Sequence, residues 1–270
     1  MTTQGFQKLI WHFFAQNKRD LPWRHTRDPY KILVSEIMLQ QTQVDRVIPK
    51  YAAWLARWPT AASLAAAGRA DVLTTWRGLG YNRRALALKR AAETIAAAGK
   101  FPRKQEKILE LPGVGPYTAS AIAAFAFNEP VVMLETNIRT VFIHHFFADR
   151  KNVRDEELLP LIEKMLPRGK SREWYWALMD YGSHLKKEVG NLGRKSAHYA
   201  KQSRFAGSNR QLRGAVLKHV SILPIPTTTL KRKLAKTGLT PSQDAFKKIV
   251  TTLVSEGFIR HTGKKIALAQ

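Results

Sequence analysis

The sequence contains no cysteine among its 270 residues. Disulfides, zinc–thiolate sites, cysteine nucleophiles and cysteine-ligated iron–sulfur clusters are therefore excluded. It also has no run of about 18 apolar residues, the length that a transmembrane helix needs. Residues 1–17 mix charged and aromatic side chains and lack the apolar core of a signal peptide. These absences predict a cytoplasmic protein that does not contact a membrane.

Acidic residues are scarce: 20 Asp and Glu stand against 45 Lys and Arg, which gives a formal net charge of +25. Hydrophobic residues make up 44% of the chain, enough to build a core, so wholesale disorder is excluded. An excess of positive charge this large indicates a polyanionic partner, and nucleic acid is the simplest one.

The spacing of apolar residues predicts helices through most of the chain. Apolar side chains recur at i, i+3 and i+4 from the N-terminus to about residue 181. We interpret residues 1–183 as one helical domain. Residues 184–210 carry seven Lys or Arg against Glu188 alone, which predicts a loosely ordered basic connector that either packs on the protein or binds phosphate. The fold class is therefore all-α.

Residues 211–270 predict a second, smaller domain. Three helical patterns cover residues 212–223, 227–236 and 240–256, and two short strands follow at 258–261 and 265–268. Three helices and a hairpin are the outline of a winged helix. The segment carries eleven Lys or Arg and two Asp or Glu, a charge of +9. Both an extra DNA contact and a protein-interaction module fit this winged-helix-like domain.

The sharpest local motif is the turn at residues 111–115, LPGVG. Its two glycines permit a tight turn between helices, and the next helix presents unpaired backbone N–H groups to an anion. Such a helix-hairpin-helix turn grips a DNA backbone without reading its sequence. We predict that Gly113, Val114, Gly115 and Thr118 contact DNA here.

Residues 5–182 resemble the helix-hairpin-helix DNA glycosylases, most closely those of the MutY type, the adenine DNA glycosylases. The order and spacing of the matching motifs extend over about two thirds of the chain. The resemblance implies the two-lobed helical glycosylase domain and a double-stranded DNA substrate with a damaged or mispaired base. The matching motifs are 21–24 (LPWR), 28–30 (DPY), 35–44 (SEIMLQQTQV), 78–81 (GLGY), 111–115 (LPGVG), 134–138 (LETNI) and 179–182 (MDYG).

The resemblance implies four catalytic positions. Glu36 matches the general acid of the family, and its apolar helix neighbours suggest a desolvated carboxyl that keeps a proton near neutral pH. Glu135 stands where the family carries an aspartate that stabilises or attacks the sugar. The longer side chain leaves two alternatives for Glu135: one of these catalytic roles, or a purely structural role near the helix N-terminus. Asn137 matches an asparagine beside that carboxylate. Tyr117 replaces the lysine nucleophile of strand-cleaving relatives, which predicts a monofunctional enzyme.

Five further positions are predicted to bind DNA through the resemblance. Gln40 matches a residue inserted into the base stack where the target base leaves, and Gln41 and Thr42 follow it. Tyr81 matches the first of two family tyrosines, and Asn82 replaces the second, which contacts the base opposite the target.

Two departures from the family are visible. Its four cluster-binding cysteines are absent from the stretch that starts at Lys186, so we expect no iron–sulfur cluster, no metal and no other cofactor. The family's C-terminal domain that reads oxidised guanine is also missing, because residues 211–270 are too short and have another pattern.

The sequence therefore predicts a monomeric, monofunctional glycosylase of base excision repair that excises adenine from a mispair. It would associate with the nucleoid when it is bound to DNA. Three alternatives remain open: a deaminated purine such as hypoxanthine as target, a pyrimidine-directed or strand-cleaving enzyme, and a non-catalytic DNA-binding protein.

Overall fold

A computed structural model describes residues 1–199, 201, 204–220 and 223–269. Helices dominate the described chain, as the sequence predicts, and none of them is long and apolar enough to cross a membrane. A short 3-10 helix, Pro22–Arg24, follows the first helix. The helices before the C-terminal domain are α1 (Thr3–Asn17), α2 (Pro29–Leu39), α3 (Val44–Arg57), α4 (Ala61–Ala65), α5 (Arg69–Thr75), α6 (Arg83–Ala97), α7 (Gln105–Leu109), α8 (Pro116–Phe127), α9 (Thr136–Phe146), α10 (Asp155–Met165) and α11 (Ser171–Glu188).

These helices form two lobes, the architecture predicted from the sequence. Helices α2 to α8 pack on one another in the first lobe, whereas α1 packs with α9, α10 and α11 in the second. Helix α8 contacts both α2 and α11, so it joins the lobes. The N-terminal helix is thus part of the lobe that the C-terminal helices build.

Helix α2 runs through the centre of the molecule. The Asp28 side chain caps its N-terminus by accepting hydrogen bonds from the Tyr30 and Lys31 amides, and Pro29 occupies the first turn. Eight of its eleven residues are buried, from Tyr30 to Met38 with the exception of Lys31. A carboxyl on this helix is therefore held away from water.

A buried ion pair fixes α11 to the chain before α2. The Arg24 guanidinium donates two 2.8 Å hydrogen bonds to the two carboxylate oxygens of Asp180, and Arg19 contacts the same carboxylate. A bidentate pair of this kind specifies orientation as well as distance. It joins two of the family-like motifs, 21–24 and 179–182, across the interface of the lobes.

The predicted boundary between residues 183 and 184 is wrong, because α11 continues without interruption to Glu188. Leu185 explains the difference: it is buried, and this one apolar anchor extends the helix through a polar stretch. Beyond the helix, a 3-10 turn at Leu192–Lys195 packs on α9, and Val153 pairs with Ser196 in an isolated parallel bridge. The described part of the connector is thus hydrogen-bonded structure, whereas residues 200, 202 and 203 lie outside the described residues.

The C-terminal domain has the three helices and the hairpin that the sequence predicts. They are α12 (Asn209–His219), α13 (Thr227–Ala235) and α14 (Gln243–Ser255), followed by β2 (Ile259–Thr262) and β3 (Lys265–Leu268). The sequence did not predict β1 (Ile225–Pro226), which pairs with β3 and completes an antiparallel sheet of order β1-β3-β2. A strand of two residues is too short to show an alternating pattern in the sequence.

Candidate active site and nucleic-acid interface

Glu36 is a buried carboxyl with one strong polar partner. It is 5% exposed, and its Oε2 accepts a 3.0 Å hydrogen bond from the Tyr117 hydroxyl. Burial raises the pKa of Glu36 to about 7; the hydrogen bond from Tyr117 opposes the rise, and the charge of Glu135 adds to it. Burial and the nearby carboxylates raise the pKa of Tyr117 well above its ordinary value, so Tyr117 remains a donor. Glu36 can therefore hold a transferable proton near neutral pH.

Glu135 is the N-cap of α9. Its Oε1 accepts hydrogen bonds from the backbone amides of Asn137, at 2.7 Å, and Ile138, at 2.9 Å. The Asn137 side-chain amide donates to its Oε2 at 3.3 Å. The N-terminus of a helix stabilises a negative charge, so the Glu135 carboxylate is held at the start of α9. It is close enough to Glu36 for its charge to raise the pKa of that carboxyl.

The end of α2 is held by Arg84, a residue that the sequence analysis missed. Its guanidinium donates to the carbonyl oxygens of Ile37, Met38 and Gln40 and to the Thr42 hydroxyl. It also bonds to the carbonyls of residues 79 and 80. Arg84 thus ties the segment 40–42 to the loop 78–82. Its position three residues after the GLGY motif was the one available signal.

Gln40, Gln41 and Thr42 form the turn that follows α2. Gln40 donates to the Thr118 hydroxyl at 3.4 Å, and Gln41 has a positive φ of 54°. Thr118 itself is only 2% exposed. Its hydroxyl thus accepts the Gln40 hydrogen bond from a buried position, and contact of Thr118 with DNA stays a prediction.

The loop before α6 presents Tyr81 and Asn82. Tyr81 has a φ of 46° and is 38% exposed, and Asn82 directly precedes α6. The guanidinium of Arg210, from α12, hydrogen-bonds the Tyr81 hydroxyl and lies 5.6 Å from its ring. The C-terminal domain therefore reaches the loop that was predicted to contact DNA.

The LPGVG turn connects α7 to α8, as predicted. Gly113 has a φ of 81°, and a Cβ there would lie 2.6 Å from the Ala87 Cβ on α6, so only glycine fits. Val114 is buried, which leaves its backbone as the part that DNA could reach. Gly115 caps α8. DNA contact at this turn stays a prediction.

One cleft of about 1710 Å³ runs between the lobes and the C-terminal domain. Nine arginines or lysines and three glutamates line it, a composition suited to a polyanion. Gly113, Val114, Gly115 and Thr118 are not part of its lining. The predicted site residues that do line it are Glu36, Gln40, Gln41, Thr42, Tyr81, Asn82, Tyr117, Glu135 and Asn137.

The stretch that matches the family's cluster-binding segment does not fit an iron–sulfur cluster, because it offers no thiolate. Its described residues instead hydrogen-bond to the protein: the Lys195 ammonium contacts the Ala148 carbonyl, and Ala197 donates to the carbonyl of Val153. Within the described chain, no group of three or more histidines or carboxylates is placed to hold a metal ion.

The fold is that of a base-excision DNA glycosylase. The model of the HhH-GPD superfamily of base excision DNA repair proteins matches residues 34–167. Together with its similarity to adenine DNA glycosylases, this match shows that the chain belongs to the HhH-GPD superfamily.

An adenine DNA glycosylase of Mycolicibacterium smegmatis is 37% identical over 252 residues, and the alignment covers 84% of each chain. An adenine DNA glycosylase of Mycobacterium tuberculosis is 46% identical over 136 residues, which are 49% of this chain and 44% of the relative. The chain thus spans less than half of that relative. The solved structure of a thermostable thymine-DNA glycosylase aligns with a TM-score of 0.60 and 30% identity, covering 67% of this chain and 86% of the other.

Proposed function

We propose that this protein is a DNA glycosylase that excises adenine from a mispair in double-stranded DNA. The observation that carries the proposal is the buried Glu36, whose pKa of about 7 keeps a proton on a carboxyl in a basic cleft. The similarity to glycosylases whose names specify adenine supports the choice of base.

The chemistry requires two carboxyl groups with different protonation states. Glu36 donates its proton to N7 of the everted purine, and the electron pair of the N-glycosidic bond leaves with the base. Positive charge develops on the deoxyribose, where the Glu135 carboxylate stabilises it. Water then adds to C1′ and gives up a proton, which the Glu36 carboxylate accepts. A positioned general acid contributes about 10²–10⁴-fold to such a reaction.

Two other targets follow from specific observations. Hypoxanthine shares N7 with adenine, so Glu36 would serve both bases. The similarity to a thymine-DNA glycosylase structure favours a pyrimidine, but a pyrimidine has no N7 for Glu36 to protonate. A panel of duplexes tests all three: adenine, hypoxanthine, uracil and thymine, each opposite every normal base and oxidised guanine. We expect excision of adenine, and activity on uracil or thymine alone would contradict the proposal.

A non-catalytic DNA-binding protein is distinguished by Glu36→Gln. The amide keeps the shape of the side chain and accepts the Tyr117 hydrogen bond, but it cannot donate an acidic proton. We expect excision to fall by at least about 10²-fold while duplex binding persists. Equal binding by both forms without excision by either would identify a binding protein.

We infer that the enzyme is monofunctional. Tyr117 occupies the position of the lysine nucleophile in strand-cleaving relatives and donates its hydroxyl to Glu36. Without an amine at this position, no Schiff base with C1′ forms there. We expect borohydride to trap no covalent protein–DNA adduct.

The remaining proposals concern the state of the protein: a monomer, free of iron, that lies in the cytoplasm and on the nucleoid when bound to DNA. The absence of cysteine supports the iron-free state. Metal analysis of the purified protein tests it, and stoichiometric iron would refute it.

We further propose that the C-terminal domain binds DNA rather than a protein partner. Arg213 and Lys218 from α12 line the same cleft as Glu36, and the domain carries a charge of +9 over residues 211–270. Glu256 joins the domain to the first lobe through a 2.5 Å contact with Arg83 on α6, and it also contacts Arg213 of its own domain at 2.5 Å. A duplex that enters the cleft would therefore meet both domains.

A further inference from the structure

Helix α11 comes unusually close to the N-terminus of α9, at the position of Asn137. A Cβ added to Gly182 would lie 2.3 Å from the Asn137 carbonyl oxygen and 2.8 Å from its Cβ. No side chain fits in that space. Glycine therefore lets the backbone of α11 rest on α9, beside the cap residue Glu135.

Lys186 lies one helical turn after Gly182, so it shares the face that meets α9. Its ammonium donates a 2.7 Å hydrogen bond to the side-chain oxygen of Asn137. The Asn137 amide nitrogen in turn donates to Glu135 at 3.3 Å. The close approach at Gly182 and the length of Lys186 together make this chain of contacts.

The ammonium decides how the Asn137 side chain is oriented. An ammonium only donates hydrogen bonds, and so does the amide nitrogen of asparagine. The Asn137 nitrogen therefore cannot form a hydrogen bond with Lys186, and only its side-chain oxygen can. The carbonyl end of the amide is thereby directed towards Lys186, and the N–H end is directed towards Glu135. Rotation of the amide by 180° would break both bonds and set two acceptors, Asn137 Oδ1 and Glu135 Oε2, against each other.

The amide also separates two opposite charges. Burial lowers the pKa of Lys186, and Glu135 opposes that shift, so the two charges interact. The ion pairs of the described chain nevertheless include none between Lys186 and Glu135. A direct ion pair would neutralise the carboxylate that must stabilise a cationic sugar. With Asn137 between them, Lys186 orients the Asn137 amide towards Glu135, and its positive charge stays one side chain away from the carboxylate.

We propose that Lys186 is a positioning residue for the Glu135 carboxylate and that it acts through Asn137. This inference rests on the proposed glycosylase function. It also assigns Lys186 a role different from the phosphate contact that its place in a basic stretch suggests, because its ammonium is directed into the protein.

The test compares Lys186→Met with Lys187→Met, the exposed neighbour with the same charge. Single-turnover excision and duplex affinity are measured separately. We expect the Lys186 variant to lose about 10- to 100-fold in excision rate, since misplacing a reacting group by about 1 Å costs that much, with an unchanged Kd. Lys186→Arg, which keeps a donor and the charge, should recover most of the rate. Lys187→Met should match the wild type.

A double-mutant cycle tests the route through Asn137. In an Asn137→Ala background, Lys186→Met should cause no further loss of rate. If the Met variant is unstable, Lys186→Gln, whose amide ends one bond short of the ammonium, gives the same measurement.

Three outcomes would overturn the inference. A weaker Kd with a smaller salt dependence and an unchanged rate would identify a phosphate contact. Full additivity with Asn137→Ala would exclude the route. If the wild type excises a base and Lys186→Met is equally active, only the positioning role of Lys186 is refuted. If the wild type is inactive on every duplex, the proposed glycosylase function is overturned as well.

Discussion

Glu36 shows how a single residue acquires its chemistry from its surroundings. An ordinary glutamate is ionised at pH 7, but burial in the middle of α2 raises the pKa of Glu36 to about 7. Glu135, at the N-terminus of α9, is held by two backbone amides and by Asn137. The surroundings of Glu36 thus suit the proposed acid, and those of Glu135 suit the proposed anion.

The first prediction at this scale concerns the pH dependence of excision. Glu36 acts only when it is protonated, so the single-turnover rate should be nearly constant below pH 6 and fall above about pH 7. The decrease should approach tenfold per pH unit. Rates measured from pH 5 to 9 at saturating enzyme check this, and a rate that rises through pH 7 would contradict a general acid.

The second prediction concerns stability. The folded pKa of Glu36, about 7, lies above the ordinary value of 4.5, so only the folded state retains this proton between those values. The stability that the protonated Glu36 contributes is present at low pH and is lost as the pH rises through 7. Glu36→Gln removes the cost of burying an ionised carboxylate above pH 7. We therefore expect the free energy of unfolding of this variant at pH 8 to exceed that of the wild type by up to about 3 kcal/mol. Urea unfolding at pH 5 and pH 8 checks this; an equal difference at both would contradict it.

At the scale of elements, two helix ends define the candidate active site. The C-terminal end of α2 is held by Arg84, which donates to the carbonyl groups of Ile37 and Met38 in the helix and of Gln40 just beyond it. Arg84 also donates to the loop 78–82. A cation at this end also suits the helix dipole. The N-terminal end of α9 is capped by Glu135 and lies against Gly182 of α11. Hydrogen bonds at these two helix ends thus hold the segments that carry Glu36 and Glu135.

The third prediction tests the contact between α9 and α11. Gly182→Ala places a methyl group 2.3 Å from the Asn137 carbonyl, and neither backbone can yield without moving a helix. We expect the substitution to lower the free energy of unfolding by about 1–3 kcal/mol or more. Gly214→Ala, within α12 and with open space around the new methyl, is the matched control.

Alanine is the better helix former, so the control should be neutral or up to about 1 kcal/mol more stable. Thermal unfolding of both variants provides the measurement. Equal stability changes would show that the close approach at Gly182 carries no energy.

At the scale of the whole molecule, charge and domain arrangement act together. The chain carries +25, and the cleft that contains Glu36 is lined by residues of both lobes and of the C-terminal domain. Burial alone would raise the pKa of Glu256, but the hydrogen bonds and positive charges of Arg83 and Arg213 together outweigh it and lower that pKa. This clamp keeps α12 beside Tyr81, so the C-terminal domain forms one side of the cleft.

The fourth prediction concerns this side of the cleft. Duplex affinity should fall steeply with salt, and Lys218→Gln, within the cleft, should reduce the slope of log K against log salt by about 0.9. Lys247→Gln, on the exposed side of α14, is the control with the same loss of charge. We expect its slope to equal that of the wild type. Equal slopes for all three proteins would indicate that Lys218 does not contact a DNA phosphate, which would contradict this prediction.

The amino-acid sequence alone was sufficient to predict the fold class, the superfamily motifs and most helices. Helical spacing and caps such as Asp28–Pro29 are local patterns, legible within a few residues. The absence of cysteine excludes a thiolate-bound cluster by composition alone. Contact of the individual residues with DNA stays a prediction, including that of Thr118, whose side chain is buried.

Long-range packing, by contrast, sets the protonation of Glu36, the contact of Lys186 with Asn137, the extent of α11 and the position of the C-terminal domain. Each depends on groups far apart in the chain: Glu36 meets Tyr117 across 81 residues, and Lys186 meets Asn137 across 49. Burial and hydrogen bonding set a pKa, and both result from tertiary contacts that no local pattern encodes.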